Sequence, residues 1–304
     1  MTDQATRLRQ MVGTDGAVPQ GGGASPSAIS SAQAEAWAHV RVIAITSGKG
    51  GVGKTNIAVN LAIALRRRGC RVLVIDADLG MANVDVLLGA ASRRHLLDLL
   101  QPEVGLDDVI VETPHGIQYI SGGSGIEKAL EYDHAEKLLL QQKLADCAAR
   151  ADLILVDTGA GLGRNVMDFI LAADEVLLVT TPEPTAMTDA YAVMKAYSMY
   201  AAKPNMRLVV NRVYDEAEGL EVAEKLRKTA ERFLHMKIDS LGAIYEDRNV
   251  IQAVRQQKPI LEAYPDSLAA KCIKAIARAT LYGEKVFIKK GWKSFLQYFL
   301  DFTR

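Results

Sequence analysis

The densest chemistry in the chain lies in Ser47-Gly48-Lys49-Gly50-Gly51-Val52-Gly53-Lys54-Thr55. Gly48-x-Gly50-x-x-Gly53 alone would fit a dinucleotide fingerprint, a weak match. Gly48-x-x-x-x-Gly53-Lys54-Thr55 completes the phosphate-loop pattern. Glycines let backbone N–H groups surround phosphate oxygens, and a helix opening behind them adds positive potential. Lys54 can neutralise β- and γ-phosphates, the Thr55 hydroxyl can ligate Mg²⁺, and Asn56 follows in the same turn. Hydride transfer needs neither a Lys nor a Thr here.

Carboxylates follow at two further places. Asp76 and Asp78 stand two residues apart in Asp76-Ala77-Asp78-Leu79-Gly80-Met81-Ala82-Asn83-Val84-Asp85. A carboxylate at a strand end can face a metal, and one two residues on can orient water for in-line attack. This predicts that Asp76 holds Mg²⁺ waters and Asp78 positions the nucleophile. Leu153-Ile154-Leu155-Val156-Asp157-Thr158-Gly159-Ala160-Gly161 is an apolar strand ending in Asp, then a glycine-bearing turn. Asp157 is expected to accept from Mg²⁺-bound water. Gly159 would bring backbone to a γ-phosphate and move after hydrolysis.

The elements that must place these residues are legible as alternation. Residues 42–46, 72–76, 117–120, 153–157, 176–180 and 208–211 are β-branched, nearly continuous apolar runs, as strands covered on both faces are. Helical patterns lie between them at 56–68, 132–150, 185–200 and 220–233. Repeated strand–helix–strand means right-handed crossovers and an α/β fold, a mostly parallel sheet flanked by helices on both faces. Ligands of such sheets sit beyond the carboxyl ends of the strands, so Asp76, Asp157 and Asn211 are expected to line one cleft.

Composition narrows the classes. With 304 residues and 49% hydrophobic positions a sizeable core is expected, and 36 basic against 36 acidic residues argues against bulk coating of nucleic acid. Cys70, Cys147 and Cys272 form no CxxC, and the five histidines are dispersed, so a reduced cytosol is the simplest home and a histidine metal site is not expected. No signal-type stretch opens the chain, and no apolar run approaches the roughly 20 residues a bilayer span needs.

The KGGVGKT form of the loop, with Lys49 as a second lysine, resembles the deviant Walker A ATPases of the MinD/ParA type over roughly residues 41–281. The resemblance implies a MinD-like P-loop NTPase that binds ATP or ADP with Mg²⁺ and hydrolyses ATP slowly as a sandwich homodimer. It implies that Lys49 reaches the partner's phosphates, that 76–85 is switch I and 153–161 is Walker B plus switch II. It further implies that Gly48 to Asn56 bind nucleotide and that the Asn211 amide reads adenine. Ala160 stands where the family commonly has proline, and so does Tyr245 in Ile244-Tyr245-Glu246-Asp247, beside Val250 and Ala253. No NKxD-type guanine reader is present. Thr185 to Tyr191 resembles the stretch that binds activating partners in MinD.

Both ends add detail. Asp3, Gln4, Ala5, Leu8 and Arg9 spell the DQAxxLR pattern, which resembles the activator element of the FlhG group of flagellar-number regulators. There a short helix stimulates the GTPase FlhF. Residues 1–11 are thus read as an activator helix, 12–40 as a Gly/Pro/Ser-rich linker, 41–282 as the ATPase domain and 283–304 as an amphipathic helix. In that last helix Trp292, Phe295, Leu296, Phe299 and Phe302 make one apolar stripe beside Lys289, Lys290 and Lys293. Such a helix suits an anionic bilayer, each basic residue adding about 1 kcal/mol, and two on one dimer bind far better than one. Packing of the helix on its own domain is the other reading, and both can hold in different states. The combination implies a cytoplasmic ATPase that meets the inner membrane face when ATP-bound and regulates flagellar number through FlhF-type GTPases and FliM/FliN-type C-ring proteins. MinD-type division-site selection and ParA-type partitioning stay open beside it. An iron–sulfur carrier would need cysteines beside switch II or a CxxC, and neither is present.

Overall fold

The computed structural model describes residues 40–78, 84–89, 92–122, 134–201 and 205–282, with Trp292, Phe295 and Leu296 beyond them. Asp3, Gln4, Ala5, Leu8 and Arg9, the linker, residues 79–83, Lys289, Lys290, Lys293, Phe299 and Phe302 lie outside the described residues.

The apolar runs become strands of one sheet: β1 (Arg41–Ser47), β2 (Val72–Ala77), β3 (Ile110–Glu112), β4 (Gln118–Ser121), β5 (Leu153–Ala160), β6 (Glu175–Thr180), β7 (Met206–Val213) and β8 (Asp239–Tyr245). Their order is β3-β4-β2-β5-β1-β6-β7-β8. Every neighbouring pair is parallel except β3 with β4. The described helices are α1 (Lys54–Arg66), α2 (Val84–Leu88), α3 (Leu106–Val109), α4 (His134–Ala145), α5 (Cys147–Arg150), α6 (Arg164–Ala172), α7 (Pro184–Tyr200), α8 (Glu216–Leu234), α9 (Arg248–Arg255), α10 (Ile260–Ala263) and α11 (Leu268–Tyr282).

Strand side chains alternate faces, so the sheet divides the core in two. Val42, Ala44, Ile154 and Val156 pack with α4, α6, α7 and α8. Ile43, Ile45, Leu153 and Leu155 pack with α1 and α11. Neither face is left to water, which is why these strands carry no polar alternation.

Two strands lack the signature used to find the others. β3 has three half-exposed or exposed residues, and β8 is polar at its start and carries Gly242. The expected helix over 132–150 breaks at Asp146 into α4 and α5, and α6, α9 and α11 lie outside the helical stretches expected from the sequence. β5 also runs on to Ala160 rather than stopping at Asp157, because Ala160 finds a partner at Ser47 of β1 after a register shift.

At the amino ends of the strands a buried charge cluster ties down α11. Glu175 is 1% exposed and is ion-paired with Arg41 and with Arg207, whose Nε lies 3.1 Å from Oε1. The same guanidinium groups reach the last carbonyls of α11: Arg41 Nη1 donates to Thr280 O (2.8 Å) and Arg207 Nη1 to Ala279 O (3.5 Å). Helix carbonyls at a C-terminus have no partner within the helix, so these donors satisfy them.

Three positions of the carboxyl-terminal stripe are closed off from solvent. Trp292, Phe295 and Leu296 belong to the core on the α4/α6 side and are 0–3% exposed. The Trp292 indole N–H donates to Leu144 O (2.5 Å), and Phe295 stacks on Trp292 and Phe169 at 5.1 and 6.3 Å between centroids. Of the two arrangements expected for the stripe, packing on its own domain is the one these three positions adopt here.

Glu175→Ala would leave two largely buried guanidinium groups without their carboxylate. Breaking a buried pair from one side costs about 3–5 kcal/mol. The urea midpoint should fall accordingly with an unchanged slope; an unmoved midpoint would show that the cluster contributes nothing to stability.

Candidate functional site

The loop between β1 and α1 is shaped by glycine at two points. A Cβ on Gly48 would lie 2.2 Å from the carbonyl carbon of Asp189, so the backbone of α7 packs directly on the loop. Gly53 has φ +93°, a conformation open to glycine, and a Cβ there would sit 2.4 Å from Nδ2 of Asn211. α1 begins at the next residue, placing Lys54 and Thr55 in its first turn. The loop lines a cavity of about 410 Å³ with Ser47, Thr55, Asn56 and Asp78. A second cavity of about 310 Å³ shares Gly51, Gly53 and Asn56 and runs to Asn211, Tyr245, Glu246 and Val250. Together they make one groove with a loop of backbone amides at one end.

The parallel register of β2 and β5 puts Asp76 opposite Asp157 at the carboxyl edge. Lys54 is 7% exposed, with Nζ 3.4 Å from Asp157 Oδ1 and 3.7 Å from Asp78 Oδ2. Asp76 Oδ1 accepts from the Asp78 backbone N–H (3.0 Å), which aims the chain into the cleft. Burial, then the charge of Asp157, pushes the Asp76 carboxyl up to about 7. Burial raises Asp157 as well, against the pull of Lys54 and the Thr55 hydroxyl.

Three carboxyl groups thus share one described ammonium. Asp76 Oδ2 and Asp157 Oδ2 are buried without a hydrogen-bond partner. A hydrated divalent cation fits this donor set: Thr55 would hold it, and the two orphaned oxygens would accept from its waters. Among the described residues no group of three or more His, Cys, Asp or Glu could hold a metal ion by itself. That suits an ion such as Mg²⁺, which keeps several waters and binds through few carboxylates together with phosphate.

Lys49 is placed differently from Lys54. Its side chain is 40% exposed, and Nζ donates to Glu183 Oε2 (2.8 Å) and Thr185 Oγ1 (3.0 Å) at the start of α7. The Lys49 ammonium holds the Glu183 carboxyl below its ordinary range. Sequence reasoning missed Glu183, whose only signal is an acidic residue just ahead of Pro184-Thr185. Gly159 lies beside Asp78, 3.6 Å from a built Cβ to Oδ1, so the two candidate switches touch.

Asn211 does not end its strand. β7 continues to Val213 through a register shift, and Arg212 sits at φ 61°. The Asn211 Nδ2 donates to Val52 O (2.8 Å), joining the loop to the second cavity. Tyr245, Glu246, Asp247 and Val250 line that cavity, whereas Ala253 is buried in the core. Thr188 and Tyr191 of α7 line a third cavity of about 470 Å³ against Glu218, Val222 and Lys225 of α8.

A sheet of this order, with a glycine loop and a lysine–carboxylate cluster at its carboxyl edge, defines a P-loop NTPase. The chain belongs to the ParA family, whose model, described as NUBPL iron-transfer P-loop NTPase, matches residues 39–281. Among its relatives, the antiactivator FleN of Pseudomonas aeruginosa is 41% identical over 239 residues, 79% of this chain and 85% of FleN. The flagellum site-determining protein YlxH of Helicobacter pylori is 38% identical over 270 residues, 87% of this chain and 91% of YlxH. The septum site-determining protein MinD of Pyrococcus horikoshii, solved in complex with Mg-ADP, has a TM-score of 0.65 at 28% identity, covering 81% of this chain and 99% of that one.

A carboxyl group that ionises near 7 when folded and near 4 when unfolded favours the folded state most below about 4. That contribution is lost as pH rises to about 7. Asp76→Asn should therefore raise the melting temperature of the nucleotide-free protein at pH 8 and leave it nearly unchanged at pH 4. Equal effects at both pH values would contradict the raised Asp76 ionisation.

Proposed function

We propose that this protein is an ATP-dependent dimerising switch of the flagellar-number-regulator type, in which slow hydrolysis resets a membrane-associated dimer. One observation carries the mechanism: Lys54 stands among Asp76, Asp78 and Asp157, while Lys49 sits half-exposed at the rim on Glu183 and Thr185. The inner lysine neutralises the phosphates of its own site. The outer one is free to leave a surface pair of low worth and lend its charge to the nucleotide of a second copy, as an arginine finger does.

Gly48 to Thr55 and Asn56 hold the phosphates through backbone amides, and Asn211 reads the adenine. Thr55, with Asp76 and Asp157 acting through water, would hold Mg²⁺, which when bound would supply positive charge against the phosphates. Asp78, exposed enough to reach solvent and next to Gly159, takes the proton side of the attacking water and keeps it in line. Gly159 lets the second switch retract once the γ-phosphate is gone.

The choice of pathway is supported by YlxH, whose name is that of a flagellum site-determining protein, matched over 91% of its length. Residues 1–11 carry the activator pattern for an FlhF-type GTPase, and the cavity between α7 and α8 offers a surface to an activating or C-ring partner. For residues 283–304 to reach an anionic bilayer, Trp292, Phe295 and Leu296 would have to leave the α4/α6 side, so membrane attachment would compete with their packing there. Among the described residues no helix is long and apolar enough to cross a membrane, which accords with peripheral attachment. Iron transfer, named in the family model, is not adopted: Cys70, Cys147 and Cys272 are spread across the chain with no CxxC.

Asp78→Ala should bind ATP with Mg²⁺ and accumulate as a dimer by light scattering, with hydrolysis down about 100-fold or more. A monomer under saturating ATP would refute the switch. A peptide of residues 1–11 should raise the GTPase rate of an FlhF-type enzyme, while Leu8→Ala in that peptide should not. No stimulation would remove the flagellar assignment and leave the ATPase intact.

A further inference from the structure

The far end of the groove is built at a backbone cost that phosphate chemistry does not explain. Arg212 occupies φ 61°, where a residue with a Cβ is strained, at the point where the β7–β8 register shifts between Asn211 and Val213. The irregularity places Arg212 and Asn211 along the same cavity, and the Arg212 Nε donates to Glu246 Oε2 at 2.8 Å. Both partners are well exposed, at 49% and 32%, so the pair does little for stability. A strained backbone that holds an ion pair of so little structural worth points to work at the cavity itself.

The cavity's other polar groups narrow what that work is. Asp247 has both oxygens engaged, Oδ1 accepting from Asn249 N (2.9 Å) and Oδ2 from Ala269 N (3.2 Å). Asn211 gives its Nδ2 to Val52 O (2.8 Å), leaving its Oδ1 as an acceptor at the cavity. Adenine, whose exocyclic amine is flanked by ring nitrogens that only accept, suits a lone neutral acceptor. Guanine presents two donors side by side, N1–H and N2–H, and these match the two oxygens of a free carboxylate. Glu246 is the one carboxylate among the described lining residues whose engagement is with a movable side chain.

We infer that the Arg212–Glu246 ion pair sets base selectivity, withholding from guanine the carboxylate it would need and leaving the cavity to adenine. With Oε2 accepting from the Arg212 Nε–H and its charge matched by the guanidinium, Glu246 is a poorer acceptor for guanine's two donors, and a guanine that drew the carboxylate to itself would leave Arg212 uncompensated. A site that leaves polar groups unmatched rejects the wrong ligand far more strongly than one differing only in shape. The inference rests on the reading of the groove as a nucleotide site and names how that site chooses its base.

The test is titration of the full chain, with Mg²⁺, by fluorescent ADP and GDP. Wild type should prefer ADP. Arg212→Ala should tighten GDP by about tenfold, the factor expected of one charge-assisted hydrogen bond, with ADP much less affected. Adding Glu246→Gln to that variant should return GDP to its weak binding, and Arg212→Lys should behave as wild type. If Arg212→Ala folds poorly, Arg212→Gly, which suits φ 61°, should give the same gain. Unchanged GDP binding in a folded Arg212 variant that still binds ADP overturns the inference while sparing the nucleotide site. A gain of GDP binding from Glu246→Gln alone overturns it too. Wild type binding neither nucleotide would instead overturn the nucleotide reading, and this inference with it.

Discussion

Two parallel strands in fixed register force Asp76 and Asp157 side by side in a dry setting, and the arrangement is tolerable only because Lys54 stands against one of them. Charges taken out of water are costly unless paired. Here pairing is incomplete, with two buried oxygens unsatisfied and one carboxyl group raised to about 7. The site is thus held short of positive charge by the same backbone pairing that makes the sheet. Loop, helix start and cluster are consequences of where β1, β2 and β5 end.

From that shortage the division of labour between the lysines follows. Lys54 is enclosed and cannot leave its carboxylates without exposing them to one another. Lys49, on the same loop five residues earlier, is bound only at the surface, by a glutamate just ahead of α7 and a threonine in its first turn. Gly48 packs on that helix so closely that no side chain would fit, so the phosphate loop and the backbone of α7 are in direct contact.

Most of the site could be read from the amino acids because its parts are local. Ser47 to Thr55 is contiguous, and apolar runs ending in Asp mark β2 and β5 as strands whose carboxyl ends meet. Adjacency of Asp76 and Asp157 followed from topology alone. What escaped were features that depend on pairing between distant segments. Glu183 becomes a partner of Lys49 only because β6 lies beside β1, and Arg212 meets Glu246 only through an irregularity in β7–β8. β3 and β8 were silent because edge strands exposed to solvent carry no continuous apolar run. The aromatic stripe was visible as a stripe, yet its periodicity does not say which apolar surface it covers. In the fold it meets Leu144 and Phe169.

The placement of Trp292 has a corollary for how the molecule tolerates being shortened. α11 closes one side of the sheet and Trp292 is inserted on the opposite side, so Trp292, Phe295 and Leu296 serve as cover for the second half of the interior. A chain ending at Tyr282 would keep every catalytic group and yet expose a greasy scar where the indole and Phe295 had been. Any partner or surface that drew these side chains away would have to cover that scar in their place.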